Sequence, residues 1–290
     1  MTLSDPKTID VGGTQLAYFE QGSGPLVVCV HGYPDTAHTY ERLLGALADA
    51  GYRAVAPFLR GYHPSAIPAD GDYSGITLGQ DVLGLIRALG ESSAALVGHD
   101  WGAMAVYSAT MQADPEVIDA LVTLAIPHPR SLKPSLGAIW KARHFITYQF
   151  KSGAVKRLKA KDFAHLDHIY KRWAPTWSDA TEDIARAKAC FRNPGVPEAA
   201  LGFYWSWRAE QGDKEARRTL ARRIDVPSLA IGGADDGAVG PKAWARTTGC
   251  YNGHYEYEVL DGVGHFPHSE APDVVVPRVV DFLKTHAPPQ

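Results

Sequence analysis

The 290-residue sequence predicts an α/β architecture: a mostly parallel sheet with helices on both faces and a helical insertion. Three observations carry this. Strand-like and helix-like segments alternate through the first half of the chain. The strand-like segments are apolar throughout, as strands covered on both faces are. The alternation stops after Ile126 and resumes at Val226.

Taken in order, Thr8 to Val11 and Gln15 to Phe19 flank Gly12-Gly13 and read as an antiparallel hairpin on the sheet edge. Leu26 to Val30 (LVVCV) is a short buried strand introduced by the turn Gly22-Ser23-Gly24-Pro25. Tyr40 to Ala50 has helical periodicity and stops at Gly51. Tyr52 to Ala56 is a strand, Leu78 to Leu89 a helix ending at Gly90, Ala94 to Val97 a strand, Ala103 to Ala113 a helix and Ile118 to Ile126 a strand. From Pro127 to about Arg223 no strand pattern is found, and Trp, Tyr, Lys and Arg become frequent. Val226 to Ile231 and Tyr255 to Leu260 restore the strands, and a helix from about Ala271 to His286 closes the chain. The expected organisation is a core of residues 1–127 and 224–290 with a helical insertion at 128–223. The run Lys156-Arg157-Leu158-Lys159-Ala160-Lys161 reads as a solvated helix face, and Asp72-Tyr73-Ser74-Gly75 as a surface loop.

Composition narrows the function. Hydrophobic residues make up 45% of the chain, enough for a sizeable core, and a net charge of −3 gives no reason to expect nucleic acid or an anionic membrane as partner. Cys29, Cys190 and Cys250 are odd in number and widely spaced, so neither a disulfide framework nor a zinc site is expected. With no basic leader, no membrane-length apolar run and no disulfide pattern, the expectation is a soluble, cytoplasmic protein.

The chemistry concentrates at Gly98-His99-Asp100-Trp101-Gly102, which follows a strand and precedes a helix. That is the context of a nucleophile elbow, Gly-x-nucleophile-x-Gly. A Cβ at either glycine would collide with the adjoining strand or helix, and the helix dipole at Asp100 favours an ionised carboxylate. The competing view is that Asp100 only caps the helix. Against it stand two further placements: His31-Gly32-Tyr33-Pro34 after the Leu26–Val30 strand, and Gly232-Gly233-Ala234-Asp235-Asp236 followed by Gly264-His265-Phe266 after the two late strands. Nucleophile, acid and histidine then come in the α/β-hydrolase order, with the N–H groups of Tyr33 and Trp101 as an oxyanion hole.

On HGYP, Arg60-Gly61-Tyr62, GHDWG, the insertion, GGADD and GVGHF, the chain resembles the epoxide hydrolase and haloalkane dehalogenase branch of the α/β-hydrolases over nearly its whole length. The resemblance implies an α/β-hydrolase fold whose insertion is a cap, Asp100 as nucleophile, and Asp236 rather than Asp235 as partner of His265. An aspartate is already ionised at neutral pH, so it attacks a polarised saturated carbon directly and forms an alkyl–aspartyl ester. His265, oriented by Asp236, then activates the water that hydrolyses the ester. No cofactor and no metal are implied.

Epoxide opening needs a proton donor opposite the nucleophile, which the branch takes from the cap. The segment Ala200-Leu201-Gly202-Phe203-Tyr204 resembles the one that carries a cap tyrosine, making Tyr204 the first donor. His144-Phe145-Ile146-Thr147-Tyr148-Gln149 resembles the other, with His144 in the tyrosine position. One helical turn on, Tyr148 is the alternative donor. A halide leaving group instead needs N–H donors. Trp101 satisfies this in either activity, and Trp140, Trp173, Trp177, Trp205 and Trp207 leave a dehalogenase-like second donor open. The expected partner is a small apolar epoxide or a haloalkane, with a homodimer left open. A non-catalytic protein of this fold that binds a small ligand is the third reading. His31 and His99 are expected to make structural hydrogen bonds, His128 to mark the start of the insertion, and the pair His165 and His168 lacks a third metal ligand.

Overall fold

The computed structural model describes residues 3–132 and 136–289. The expected hairpin is β1 (Lys7–Val11) and β2 (Thr14–Gln21), paired antiparallel about Gly12-Gly13 at the sheet edge. There follow β3 (Leu26–Val30), α1 (Glu41–Asp49), β4 (Arg53–Pro57), α2 (Gly75–Ala88), β5 (Ala94–His99), α3 (Trp101–Gln112) and β6 (Ile118–Leu124). Among the described residues, the region between β6 and the next strand is helical wherever it has regular structure: α4 (Leu136–Lys141), α5 (Arg143–Tyr148), α6 (Lys151–Trp173), α7 (Thr181–Phe191), α8 (Val196–Glu210) and α9 (Lys214–Thr219). Then come β7 (Ser228–Gly233), β8 (Tyr255–Leu260), α10 (Pro267–Glu270) and α11 (Pro272–His286).

The eight strands lie in the order β1-β2-β4-β3-β5-β6-β7-β8, parallel from β4 to β8. β3, β5 and β7 are buried along their whole length, which explains their largely apolar sequences. Cys29 sits in β3 as a fully buried core residue. α2 packs against α3 and α1 against α11. The chain leaves β3 toward β4 on one side and returns to β5 on the other. The carboxyl ends of β3 and β5 therefore border the switch point, where a ligand crevice forms in such sheets.

Several local expectations shift for identifiable reasons. α2 starts three residues early because the Ser74 hydroxyl accepts the Thr77 N–H as an N-cap. β6 ends at Leu124 because Ala125 takes φ +66°. The surface-loop reading of Asp72–Gly75 is corrected: Tyr73 is buried, stacked on Phe203 of α8 at 5.2 Å, and Gly75 belongs to α2. The basic run on α6 is solvent-facing as expected, apart from the buried Leu158, but the helix breaks at Ala160–Phe163, where Lys161, Asp162 and Phe163 have positive φ. His128 spans the base of the helical region, its Nε2 bonded to the Arg222 carbonyl at 3.1 Å. Among the described residues no helix is long and apolar enough to cross a membrane.

Candidate active site

Asp100 lies between the end of β5 and the start of α3 with φ +51°, ψ −117°, a backbone conformation few non-glycine residues adopt. The two glycines explain how the turn closes. A Cβ on Gly98 would meet the Gly102 carbonyl oxygen at 2.4 Å, and one on Gly102 would stand 1.9 Å from the Val30 carbonyl of β3. The Asp100 side chain makes no capping bond to α3. Its carboxylate turns instead toward the switch point, where Oδ1 accepts the Tyr33 N–H at 2.8 Å and Oδ2 lies 3.2 Å from His265 Nε2. Among the described residues, Tyr33 is the one main-chain donor on this carboxylate. Trp101, as the first residue of α3, carries one of the helix's leading N–H groups.

His265 is fully buried, and its Nδ1 is 2.8 Å from Asp236 Oδ2. Asp236 Oδ1 accepts the N–H groups of Ala238 and Val239 at 2.6 and 2.9 Å, which fixes the carboxylate's plane. Asp235 faces outward and accepts the Gly262 N–H. Burial alone would lower the His265 pKa, but Asp236 and Asp100 on either side outweigh it and raise it to about 10. Burial likewise opposes ionisation of Asp100, and the His265 imidazolium reverses that, holding the carboxyl below its usual range.

Across from Asp100 stand residues of the helical region. Tyr204 of α8 is edge-on to Trp101 at 5.1 Å and to Tyr33 at 5.4 Å. His144 of α5 lies 5.6 Å from the Tyr204 ring, and its buried Nδ1 has no hydrogen-bond partner. Burial and then Arg172 push the His144 pKa down to about 3, so the ring is neutral at ordinary pH. Tyr148 packs on Tyr204 at 4.9 Å, but its hydroxyl is engaged at 3.0 Å by the Tyr33 hydroxyl and at 2.8 Å by His165 Nε2. The eight residues singled out in the sequence, Asp100, Asp236, His265, Tyr204, His144, Tyr33, Trp101 and Tyr148, thus form one continuous cluster. The arrangement can hold a small apolar molecule between a carboxylate and a wall of N–H and O–H donors.

With that geometry in place, comparison with known proteins is direct. Residues 25–272 match the family described as alpha/beta hydrolase fold. The chain belongs to the α/β-hydrolase family. An AB hydrolase superfamily protein of Bacillus subtilis is 31% identical over 269 residues, covering 90% of this chain and 91% of that one. An epoxide hydrolase of Caballeronia sordidicola is 30% identical over 310 residues, covering 96% and 93%. Epoxide Hydrolase A of Mycobacterium thermoresistibile has a similar structure, with TM-score 0.83 at 25% identity and 98% of each chain covered. This α/β-hydrolase is therefore an epoxide-hydrolase-like enzyme.

Three features of the α/β-hydrolase site were not specified by the sequence reading, although it named several of their residues. The first is His165, considered only as a metal ligand, which instead reaches Tyr148. Trp173, at the end of α6, is the second. Its ring lies 4.8 Å from His265 and 4.9 Å from His144, with the indole N–H buried and unpartnered. The other tryptophans of the helical region differ: Trp140 is exposed, Trp205 donates to the Tyr148 carbonyl, and Trp177 and Trp207 are half-buried. The third is the support behind His265. His99 Nε2 donates to the His265 carbonyl at 2.8 Å, and Glu270 accepts the Gly264 and Phe266 N–H groups at 2.7 and 2.8 Å. His31 is bound in the loop above β3, its Nε2 accepting the Leu59 N–H at 3.0 Å. Apart from the local Glu270 contacts, four and six residues along the chain, these pairings leave no spacing signal, because the partners come from distant parts of the chain.

Proposed function

We propose that this enzyme hydrolyses a small, mostly apolar epoxide to a vicinal diol through a covalent ester on Asp100, with residues 128–223 acting as a cap. The observation that carries the reading is the carboxylate of Asp100, uncapped and bonded to Tyr33 and His265, facing the Tyr204 hydroxyl and the neutral His144 ring. In the first step an Asp100 oxygen attacks an epoxide carbon from behind, the C–O bond of the ring breaks, and the freed oxygen takes a proton from Tyr204 while His144 donates a hydrogen bond. Tyr148 is the weaker choice for second donor because its hydroxyl already serves Tyr33 and His165.

Esterification then removes the negative charge of Asp100. One of the two carboxylates that stabilise the His265 imidazolium is lost, so its pKa falls and the ring becomes a competent base. His265, held by Asp236, draws a proton from water, which adds to the ester carbonyl carbon. The oxyanion is received by the N–H groups of Tyr33 and Trp101, and the diol leaves as Asp100 is restored.

One observation favours a second reading, haloalkane dehalogenation by the same ester chemistry. The Trp173 indole N–H is buried in the site wall without a partner, and with Trp101 it would receive a halide. A single experiment separates the readings. In His265→Gln the ester forms and persists, so intact-protein mass after incubation with styrene oxide rises by the whole epoxide mass. With a chloroalkane it rises by the alkyl halide less hydrogen chloride. An epoxide adduct confirms the main reading, a halide-derived adduct alone replaces it, and no adduct from either rejects both in favour of a binding protein.

A further inference from the structure

The Tyr33 hydroxyl, the Tyr148 hydroxyl and His165 Nε2 form an unbroken hydrogen-bonded row, 3.0 and then 2.8 Å per link. Its inner end is the residue whose main chain holds Asp100. Tyr33 and Tyr148 are sealed from solvent, while His165 is half-buried and stacks on the exposed His168 at 6.2 Å. Phenol hydroxyls and a neutral imidazole each offer one donor and at least one acceptor, so such a row can point either way. With His165 protonated on Nε2 it points inward, and Tyr33 presents an O–H to the site. With Nδ1 protonated it points outward. Burial, followed by the nearby Arg157, keeps His165 neutral at ordinary pH, so both directions are open.

A buried donor that surrenders its proton needs such a connection. Tyr204 is shut away from bulk solvent, and its burial, then the facing Asp100 charge, make a persistent tyrosinate costly. We propose that Tyr33, Tyr148 and His165 are the proton-return path of this site, a role that rests on the epoxide reading above. The step balances as follows. Tyr204 gives its proton to the opened ring oxygen, and Tyr33, whose ring stands edge-on to that of Tyr204 at 5.4 Å, restores it. Tyr148 gives its hydroxyl proton to Tyr33, His165 passes its Nε2 proton to Tyr148, and a proton from solvent enters at Nδ1. Every phenol ends neutral, and His165 ends as the other tautomer.

The path makes a kinetic prediction that a merely structural role does not. The first ring opening uses the proton already on Tyr204, and only later turnovers draw on the row. In His165→Phe, alkylation of Asp100 in a single turnover with styrene oxide stays within about twofold of the parent enzyme, while steady-state kcat falls about tenfold or more and its solvent deuterium isotope effect rises. His165→Gln keeps a hydrogen bond to Tyr148 but has no second ring nitrogen to reload, and it follows the Phe variant. The proposal is overturned if Gln restores kcat, if the first turnover slows as much as later ones, or if kcat is unchanged in both variants. Failure of the underlying epoxide reading looks different: the His265→Gln protein then gains no epoxide mass. The row itself is read without substrate, since Tyr148→Phe should shift the 15N resonance of His165 Nε2, and an unmoved resonance removes the path.

Discussion

The main-chain N–H of His265 donates to the carbonyl of Trp173 at 3.1 Å, and the same oxygen accepts the N–H of Gly237 at 3.0 Å. The last residue of α6 thus holds both the loop that carries His265 and the loop next to Asp236. The approach is so close that a Cβ on Gly264 would lie 2.5 Å from the Ala174 Cα. Gly264→Ala therefore has to push the two backbones apart and move His265 off its line to Asp100. We expect kcat to fall about 10²-fold with a small change in KM, as geometric misplacement of a reacting group does. Single-turnover and steady-state rates check this, and a parent-like kcat would show that the contact is dispensable.

Tyr204→Phe should slow ring opening by about 10²–10⁴-fold if Tyr204 is the main proton donor, and His144→Phe by less. Rapid-mixing measurement of Asp100 alkylation separates this from ester hydrolysis. Unchanged alkylation in Tyr204→Phe would remove it from the chemistry.

The two half-reactions should differ in pH dependence. In the resting enzyme His265 is charged up to about pH 10 because it lies between Asp100 and Asp236. In the ester form only Asp236 remains ionised beside it. Hydrolysis of the ester should therefore rise with pH through a midpoint well below 10. A midpoint that stays near 10 would mean the Asp100 charge does not control the base.

Stability should weaken in acid for a separate reason. Burial pushes the pKa values of His31 and His144 down to about 3, and those of His99 and His128 to about 4. In the unfolded chain each titrates near 6.5. Between about pH 6.5 and 4 the unfolded state binds the extra protons. Each histidine then costs up to ~1.4 kcal/mol per pH unit, a loss that levels off below the folded pKa. His265 acts in the opposite sense: its contribution is complete below about pH 6.5 and disappears as pH rises through about 10. Urea midpoints measured from pH 8 to 4.5 should fall steeply below 6.5, and a flat profile would contradict the burial of these rings as neutral species.

Asp81 is expected to be a structural hot spot. Its two oxygens take Arg60 Nε and Nη2 at 2.5 and 2.6 Å, and both side chains are nearly sealed. Asp81→Asn leaves the buried guanidinium with only the exposed Asp70 carboxylate, 3.8 Å away, as counter-charge and should cost ~3 kcal/mol in unfolding free energy, read by denaturant titration.

What the sequence made legible was local. The glycines of the elbow, the apolar strands and the order of Asp100, Asp236 and His265 are written within a few residues of each other or in chain order. The mostly parallel sheet, its edge hairpin and the helical character of 128–223 followed from the same patterns, while the spatial order of the strands did not. The donor side was harder, because α5, α6 and α8 set their side chains by packing across sequence gaps of tens of residues. Periodicity does not say that Tyr148 is occupied by His165, or that Trp173 is the one tryptophan set between His144 and His265. Tyr73 was misplaced for a similar reason: a polar, turn-rich neighbourhood hid a ring that α8 covers.

The backbone angle at Asp100 limits what this position could become. At φ +51° a β-branched side chain is excluded by its own main chain, whatever room the pocket offers. Threonine and valine are thus closed to drift here, while serine, cysteine and asparagine remain sterically open. Under the proposed mechanism, a lineage leaving aspartate chemistry at this elbow has those few doors, and two of them lead to acyl transfer rather than to displacement at saturated carbon.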